Sequence, residues 1–168
     1  MSGQTRGTAS RSRYQNKDGK LPRLELDKGC EDMDKIIENK VLETNIANIY
    51  SIKSDLLNNK YHIAEISGAY IQTWEEYVTE IQSKFIFPTA CIDSMDRYLD
   101  WIRDLDWLGK DGYALIIYDF SEFLKNAPKL KQEIVADFTD IILPFWQEEV
   151  EEVVVGAKAK AFMVYLVD

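Results

Sequence analysis

Two continuous apolar runs constrain this chain most: Tyr113 to Tyr118 (YALIIY) and Ala161 to Val167 (AFMVYLV). Each has the length of a strand and lacks a polar face, the pattern of a strand covered on both sides. A third β-rich stretch, Tyr61 to Ser67 (YHIAEIS), closes at Gly68. The segments between them follow a helical period. Thr73 and Glu76 form a T-x-x-E capping box ahead of Trp74, Tyr77, Val78, Ile81 and Phe85, and Pro88 ends that helix. A second helix is expected from Asp93 to Leu105, with Gly109 and Gly112 bracketing the turn after it, and a short one from Ser121 to Asn126. Pro128 suits the first turn of a further helix, which must break or kink near Pro144 before resuming over Phe145 to Val155. Strands alternating with helices predict a small parallel sheet flanked by helices, with right-handed crossovers.

At about 150 residues per domain, a chain of 168 residues holds one domain plus an appendage. Residues 31–60, with Met33, Ile36, Ile37, Val41, Leu42, Ile46, Ile49, Ile52, Leu56 and Leu57 mostly three or four apart, are expected to be a helical extension packed on a domain of residues 61–168. Residues 1–30 have no apolar period and read as a disordered basic tail rather than a nucleic-acid arm or a transit peptide. That tail carries seven basic residues (Arg6, Arg11, Arg13, Lys17, Lys20, Arg23, Lys28) and three acids (Asp18, Glu25, Asp27), a net of +4, so the total of −9 leaves −13 for the rest. So acidic a body repels nucleic acid, whose binding rests on cations displacing condensed counterions, and suits a basic protein partner. Cys30 and Cys91 make neither a disulfide framework nor a zinc ligand set, and His62 is the one histidine. No stretch reaches the 18 apolar residues of a membrane span and no secretory h-region opens the sequence, so a cytoplasmic protein is expected, without membrane contact.

The helix expected over Asp93 to Leu105 carries the functional signal. At about 100° per residue, Asp93, Asp96, Asp100 and Asp104 share an arc of about 80°, opposite Met95, Tyr98, Leu99, Ile102 and Leu105. An ordinary solvated face, with Arg97 and Arg103 pairing with Asp93 and Asp100, accounts for the spacing. It does not account for the choice of Asp. Asp forms helices less well than Glu, and the like-charge i,i+4 pairs each cost about 0.2 to 0.5 kcal/mol. Short, closely held carboxylates form a rigid acceptor array that matches a cationic phosphate-binding pocket.

The segment Phe87 to Ile102 (FPTACIDSMDRYLDWI), continuing through RDLDWL into GYALIIYDFSEF, resembles the barstar family of ribonuclease inhibitors and immunity proteins. The strand and Gly68 ahead of the capped helix are similar as well, and the likeness extends over about Ile49 to Asp168. The resemblance implies an α/β fold with a three-stranded parallel sheet flanked by helices, and a non-enzymatic inhibitor without a cofactor that plugs a basic nuclease toxin, one to one, inside the producing cell. It makes Asp96 and Asp100 the interface aspartates, with Asp100 where substrate phosphate binds, and Trp107 an interface-proximal tryptophan; Asp93, Ser94 and Asp104 complete the expected partner-binding set. The loop departs from the family pattern at Ala90 or Cys91 in place of an aromatic residue, Ile92 in place of Gly and Ser94 in place of Asn. A regulatory binding module on the same scaffold, with a partner other than a nuclease, is the alternative.

Other chemistry is less well supported. Asp104 to Gly112 fails the EF-hand pattern because Leu108 and Leu115 stand where oxygen ligands are needed. The D-x-x-D-x-x-x-D spacing offers Mg²⁺ donors for a hydrolase, yet no Walker loop or GxGxxG accompanies it. His62 is expected to be structural, and Cys91 lacks a nearby base to make it a nucleophile.

Overall fold

The computed structural model describes residues 38–168. The tail expected over residues 1–30, including Cys30, and residues 31–37 of the expected helical extension lie outside the described residues. In chain order the elements are β1 (Val41–Thr44), α1 (Ile46–Asn58), β2 (Tyr61–Ser67), α2 (Trp74–Lys84), α3 (Met95–Ile102), β3 (Gly112–Tyr118), α4 (Pro128–Asp137), α5 (Val150–Val153) and β4 (Ala161–Val167). The four strands form one wholly parallel sheet in the order β1-β4-β3-β2. Both apolar runs occupy its interior. β3 is in register with β2 from Tyr61↔Gly112 to Ser67↔Tyr118 and with β4 from Gly112↔Ala161 to Tyr118↔Val167.

Alternation along the strands divides the core between the two faces. Ala64, Ile66, Tyr113, Leu115, Ile117, Phe162, Val164 and Leu166 pack with residues of α2, α3 and α4 in the larger cluster. Ala114, Ile116, Tyr165 and Val167 point the other way and pack with Ile49 and Leu56 of α1. That second cover explains why β3 is buried along almost its whole length.

Several expectations change. The three strands implied by the resemblance become four, because Val41–Thr44, placed within a helical stretch, is a strand pairing with β4 from Val41↔Val164 to Thr44↔Val167. A partner so distant in sequence leaves no local signal. α1 then starts at Asn45, whose side chain accepts the Asn48 N–H at 3.0 Å. The short helix expected over Ser121–Asn126 is a succession of turns, because Asp119 (φ 51°) and Leu124 (φ 49°) are left-handed. Of the break or kink expected near Pro144, the break does not occur, and the helix is instead distorted there. The chain stays helical through it by means of two wide π-turns, Phe138–Ile142 and Phe145–Glu149, and the Leu143 N–H donates to Phe138 O, five residues back. Widening the turn accommodates a residue with no N–H and a ring that crowds the preceding turn.

The capping box forms as expected: Thr73 Oγ1 accepts the Glu76 N–H at 3.2 Å, and Glu76 Oε2 accepts the Thr73 N–H at 3.2 Å. Gly68 is required by close approach, since a Cβ there would lie 2.6 Å from Asp119 O and 2.7 Å from Phe123 Cβ.

Candidate functional site

α3 begins where Ser94 Oγ accepts the Arg97 N–H at 3.2 Å, and it ends at Arg103. Its inner side is fixed by Tyr98 and Ile102, both fully buried. The Tyr98 hydroxyl meets the Tyr77 hydroxyl of α2 at 2.7 Å, and the Tyr98 ring lies edge-on to Trp74, with centroids 5.3 Å apart. Leu99 is half-buried, whereas Met95, expected on the packed side, is 37% exposed at the first turn.

The helix is shorter than expected, so it carries two of the four aspartates. Asp93 precedes the cap. Asp104 follows the C-terminus, where its N–H donates to Trp101 O at 3.1 Å and Leu105 turns left-handed (φ 32°). The weak helix propensity of Asp, invoked for the stripe, also favours this early end. All four carboxylates are exposed. Asp93 pairs with Arg97 at 3.2 Å and Asp100 with Arg103 at 3.4 Å, the pairings an ordinary solvated face would show. Arg103 is itself held, donating Nε–H to Leu99 O at 3.0 Å and lying 5.6 Å from the Phe145 ring centre. Asp96 and Asp104 have no ion-pair partner among the described residues.

Beside the acids lies an aromatic shelf. Trp107, on a 3₁₀ turn (Asp106–Leu108), donates Nε1–H to Phe85 O at 2.9 Å and packs edge-on against both Phe87 and Trp101. Trp101 donates to Thr89 Oγ1 at 3.2 Å. The loop leading into α3 is pinned from three sides. Trp74 Nε1–H donates to Ile92 O at 2.8 Å, Gln82 Oε1 accepts the Cys91 N–H at 3.2 Å, and Arg97 donates to Ala90 O at 3.2 Å. Cys91 is fully buried, and burial, aided by Asp93 and opposed by Arg97, raises its thiol above the usual range, so it is held as the thiol.

Sequence reasoning missed Asp106. It is an exposed carboxylate just past α3, and with Asp104 it adds to the burial that raises the Tyr113 hydroxyl well above its ordinary pKa. The helical wheel could not place it because the chain leaves the helix before reaching it. The D-L-D-W spacing was its only trace. His62 donates Nε2–H to Lys84 O at 2.8 Å and lies against Phe85, a structural position. Among the described residues, no three His, Cys, Asp or Glu side chains are grouped to hold a metal ion.

The family model described as Barstar (barnase inhibitor) matches residues 61–158, more than half of the chain. The chain belongs to the barstar family. Barstar family members are inhibitors that bind a ribonuclease rather than enzymes. The match begins at β2 and takes in α2, α3, β3, α4 and α5, so the candidate site lies wholly within the barstar part, whereas β1, α1 and β4 lie outside it. No curated protein and no solved structure matches the chain. No helix among the described residues is long and apolar enough to cross a membrane.

Proposed function

We propose that this barstar-family protein acts in the cytoplasm as the inhibitor of a basic nuclease toxin, covering that enzyme's active site with α3 and its flanking turns in a 1:1 complex. The observation that carries this reading is the pair of exposed carboxylates, Asp96 and Asp100, one turn apart on a helix whose opposite side is locked into the core. Short side chains on a fixed backbone lose little freedom on binding, and their oxygens offer charge-assisted hydrogen bonds to the Arg, Lys or His groups of a phosphate site. The Asp100–Arg103 pair does not oppose this. Asp100 is 73% exposed, and a pair so exposed contributes little that a desolvated partner cation cannot replace. Asp93, Asp104 and Trp107 flank the pair, Ser94 sets the start of the helix, and the −13 of the chain beyond residue 30 steers a basic partner in.

The test is co-purification with nuclease toxins of the same organism, followed by RNA cleavage with and without this protein. Asp100→Ala is expected to weaken the complex about a hundredfold or more, because it leaves the partner's cations buried and unpaired. Affinity unchanged in both Asp96→Ala and Asp100→Ala sinks the assignment. One observation favours a second reading, a regulatory module with a different partner: Ala90 is the exposed side chain and Cys91 the buried one where the family usually shows an aromatic residue. A stable complex without inhibition selects that reading.

A further inference from the structure

β2 is an outer strand of the sheet, paired on one side by β3, so among the described residues the backbone groups on its other side have no strand partner. Two helices flank this edge. α2 runs back alongside β2 on one face, with Lys84 O at its end held by His62 at the start of the strand. α1 runs alongside on the other face, where Lys53 Nζ reaches Glu65 at 2.8 and 3.0 Å.

The α2 side is acidic. A groove of about 430 Å³ along the β2 edge is lined by Glu65, Ile66 and Ser67 of β2, with the Glu65 carboxylate turned to the α1 face, and by Glu75, Glu76 and Glu80 among the residues of α2, with Lys84 the one cation among its described lining residues. Glu65 is occupied by Lys53 and Tyr118, and Glu76 by the capping box. Glu75 and Glu80 have no ion-pair partner among the described residues. The α1 side is apolar. Ile46, Tyr50 and Leu57, 48%, 69% and 62% exposed, fall within about 40° of one another at about 100° per residue, and within about 60° of Lys53.

An edge strand left open invites pairing, and acids beside it repel a strand as acidic as the body of this chain. A cationic strand meets no such repulsion. Successive side chains of an added strand point to opposite faces, so one set would meet the glutamates of α2 and the other the apolar stripe of α1. We propose that the β2 edge is a second docking surface, separate from α3, which takes an extended protein segment of alternating basic and apolar residues as a fifth strand.

The probe is a labelled nine-residue peptide alternating Lys and Val, titrated into the full chain and followed by fluorescence anisotropy and by amide exchange. Expected are saturable binding that weakens with salt and new protection of the amides within 61–67. Glu75→Gln/Glu80→Gln, an exposed and a half-buried helix position outside the α3 site, should weaken binding about tenfold. Asp96→Asn/Asp100→Asn should leave peptide binding unchanged even where it abolishes nuclease inhibition, so the two surfaces fail independently. No saturable binding at about 1 mM peptide, or binding abolished by the α3 variant, overturns the proposal. Protection of 61–67 that rises with protein concentration alone would instead assign the edge to a second copy, and would overturn it too.

Discussion

The two hydroxyls buried between α2 and α3 make a double-mutant cycle with an unusual sign. Tyr77 and Tyr98 are fully buried, among the described residues each hydroxyl finds its hydrogen bond only in the other at 2.7 Å, and the rings meet edge to face at 5.8 Å. Tyr77→Phe removes one oxygen and orphans the other, which cannot reach water. The expected cost is the desolvation penalty of a buried, unpaired hydroxyl, about 1 to 3 kcal/mol, and Tyr98→Phe should cost about the same. In Tyr77→Phe/Tyr98→Phe nothing polar remains and both rings stay in place. The double variant should therefore be more stable than either single one and lie within about 1 kcal/mol of the parent, with a coupling of opposite sign to the single effects. Urea midpoints at neutral pH, with near-UV circular dichroism to confirm packing, measure all four corners. An additive cycle, with the double variant worst, would refute the reasoning. An alkaline limb gives an independent check. Burial first, together with the neighbouring hydroxyl and Asp137, raises Tyr77 well above its usual pKa, and burial likewise raises Tyr98. Stability is then present below about pH 10 and lost as pH rises above it, and the doubly substituted protein should lose that part of the slope.

Ile49→Ala deletes an anchor of α1 that is 1% exposed, and the lost methylenes plus the cavity should cost about 2 to 4 kcal/mol, whereas Tyr50→Ala, on the exposed side, should stay within about 0.5 kcal/mol. Denaturation midpoints that are equal for the two would mean α1 is an ornament rather than part of the core. Gly68→Ala should cost about 1 to 3 kcal/mol, since the atoms in its way include the Asp119 backbone, measured by the same denaturation. Burial alone would raise Glu65, but hydrogen bonds from Lys53 and Tyr118 and the nearby lysine charges bring it below the usual carboxylate pKa. A lowered folded pKa means stability present above the unfolded value, about 4.3, and lost as pH falls below it. Glu65→Gln should therefore flatten stability against pH between about 5 and 3, read from urea midpoints across that range.

The elements that sequence made legible are those with local causes. β3 and β4 announced themselves by unbroken apolar runs, and α2 by a cap whose partners are three residues apart. β1 was illegible because Val41 and Leu42 fit a helical period as well as a strand, and pairing with residues 164–167 decided between them. Pro144 marked a disturbed stretch of helix but not whether the helix would end there, because a wide turn supplies a remedy that composition does not show. At the site, the carboxylates of Asp96 and Asp100 follow from the helical angle, but the limits of the stripe do not. They depend on the left-handed turn at Leu105 and on Trp107 anchoring to Phe85, a contact between residues 22 apart. The inward turn of Cys91 and the pinning of its loop by Trp74 and Gln82 are likewise tertiary.

The pairing of β1 with β4 joins the earliest strand described to the latest. Contacts that span so much of the chain give a high contact order, and loop-closure entropy must be met before any of them forms. During synthesis β1 and α1 emerge before the other described elements, and Ile49 and Leu56 can meet Tyr61 and Ile63 of β2 directly afterwards, whereas Ala114, Ile116, Tyr165 and Val167, which complete their cluster, arrive only with β3 and β4. The sheet cannot be completed from its own beginning. The fold is therefore complete only after β4 is made, so the order of synthesis leaves β1 without its partner strand until residues 161–167 have emerged.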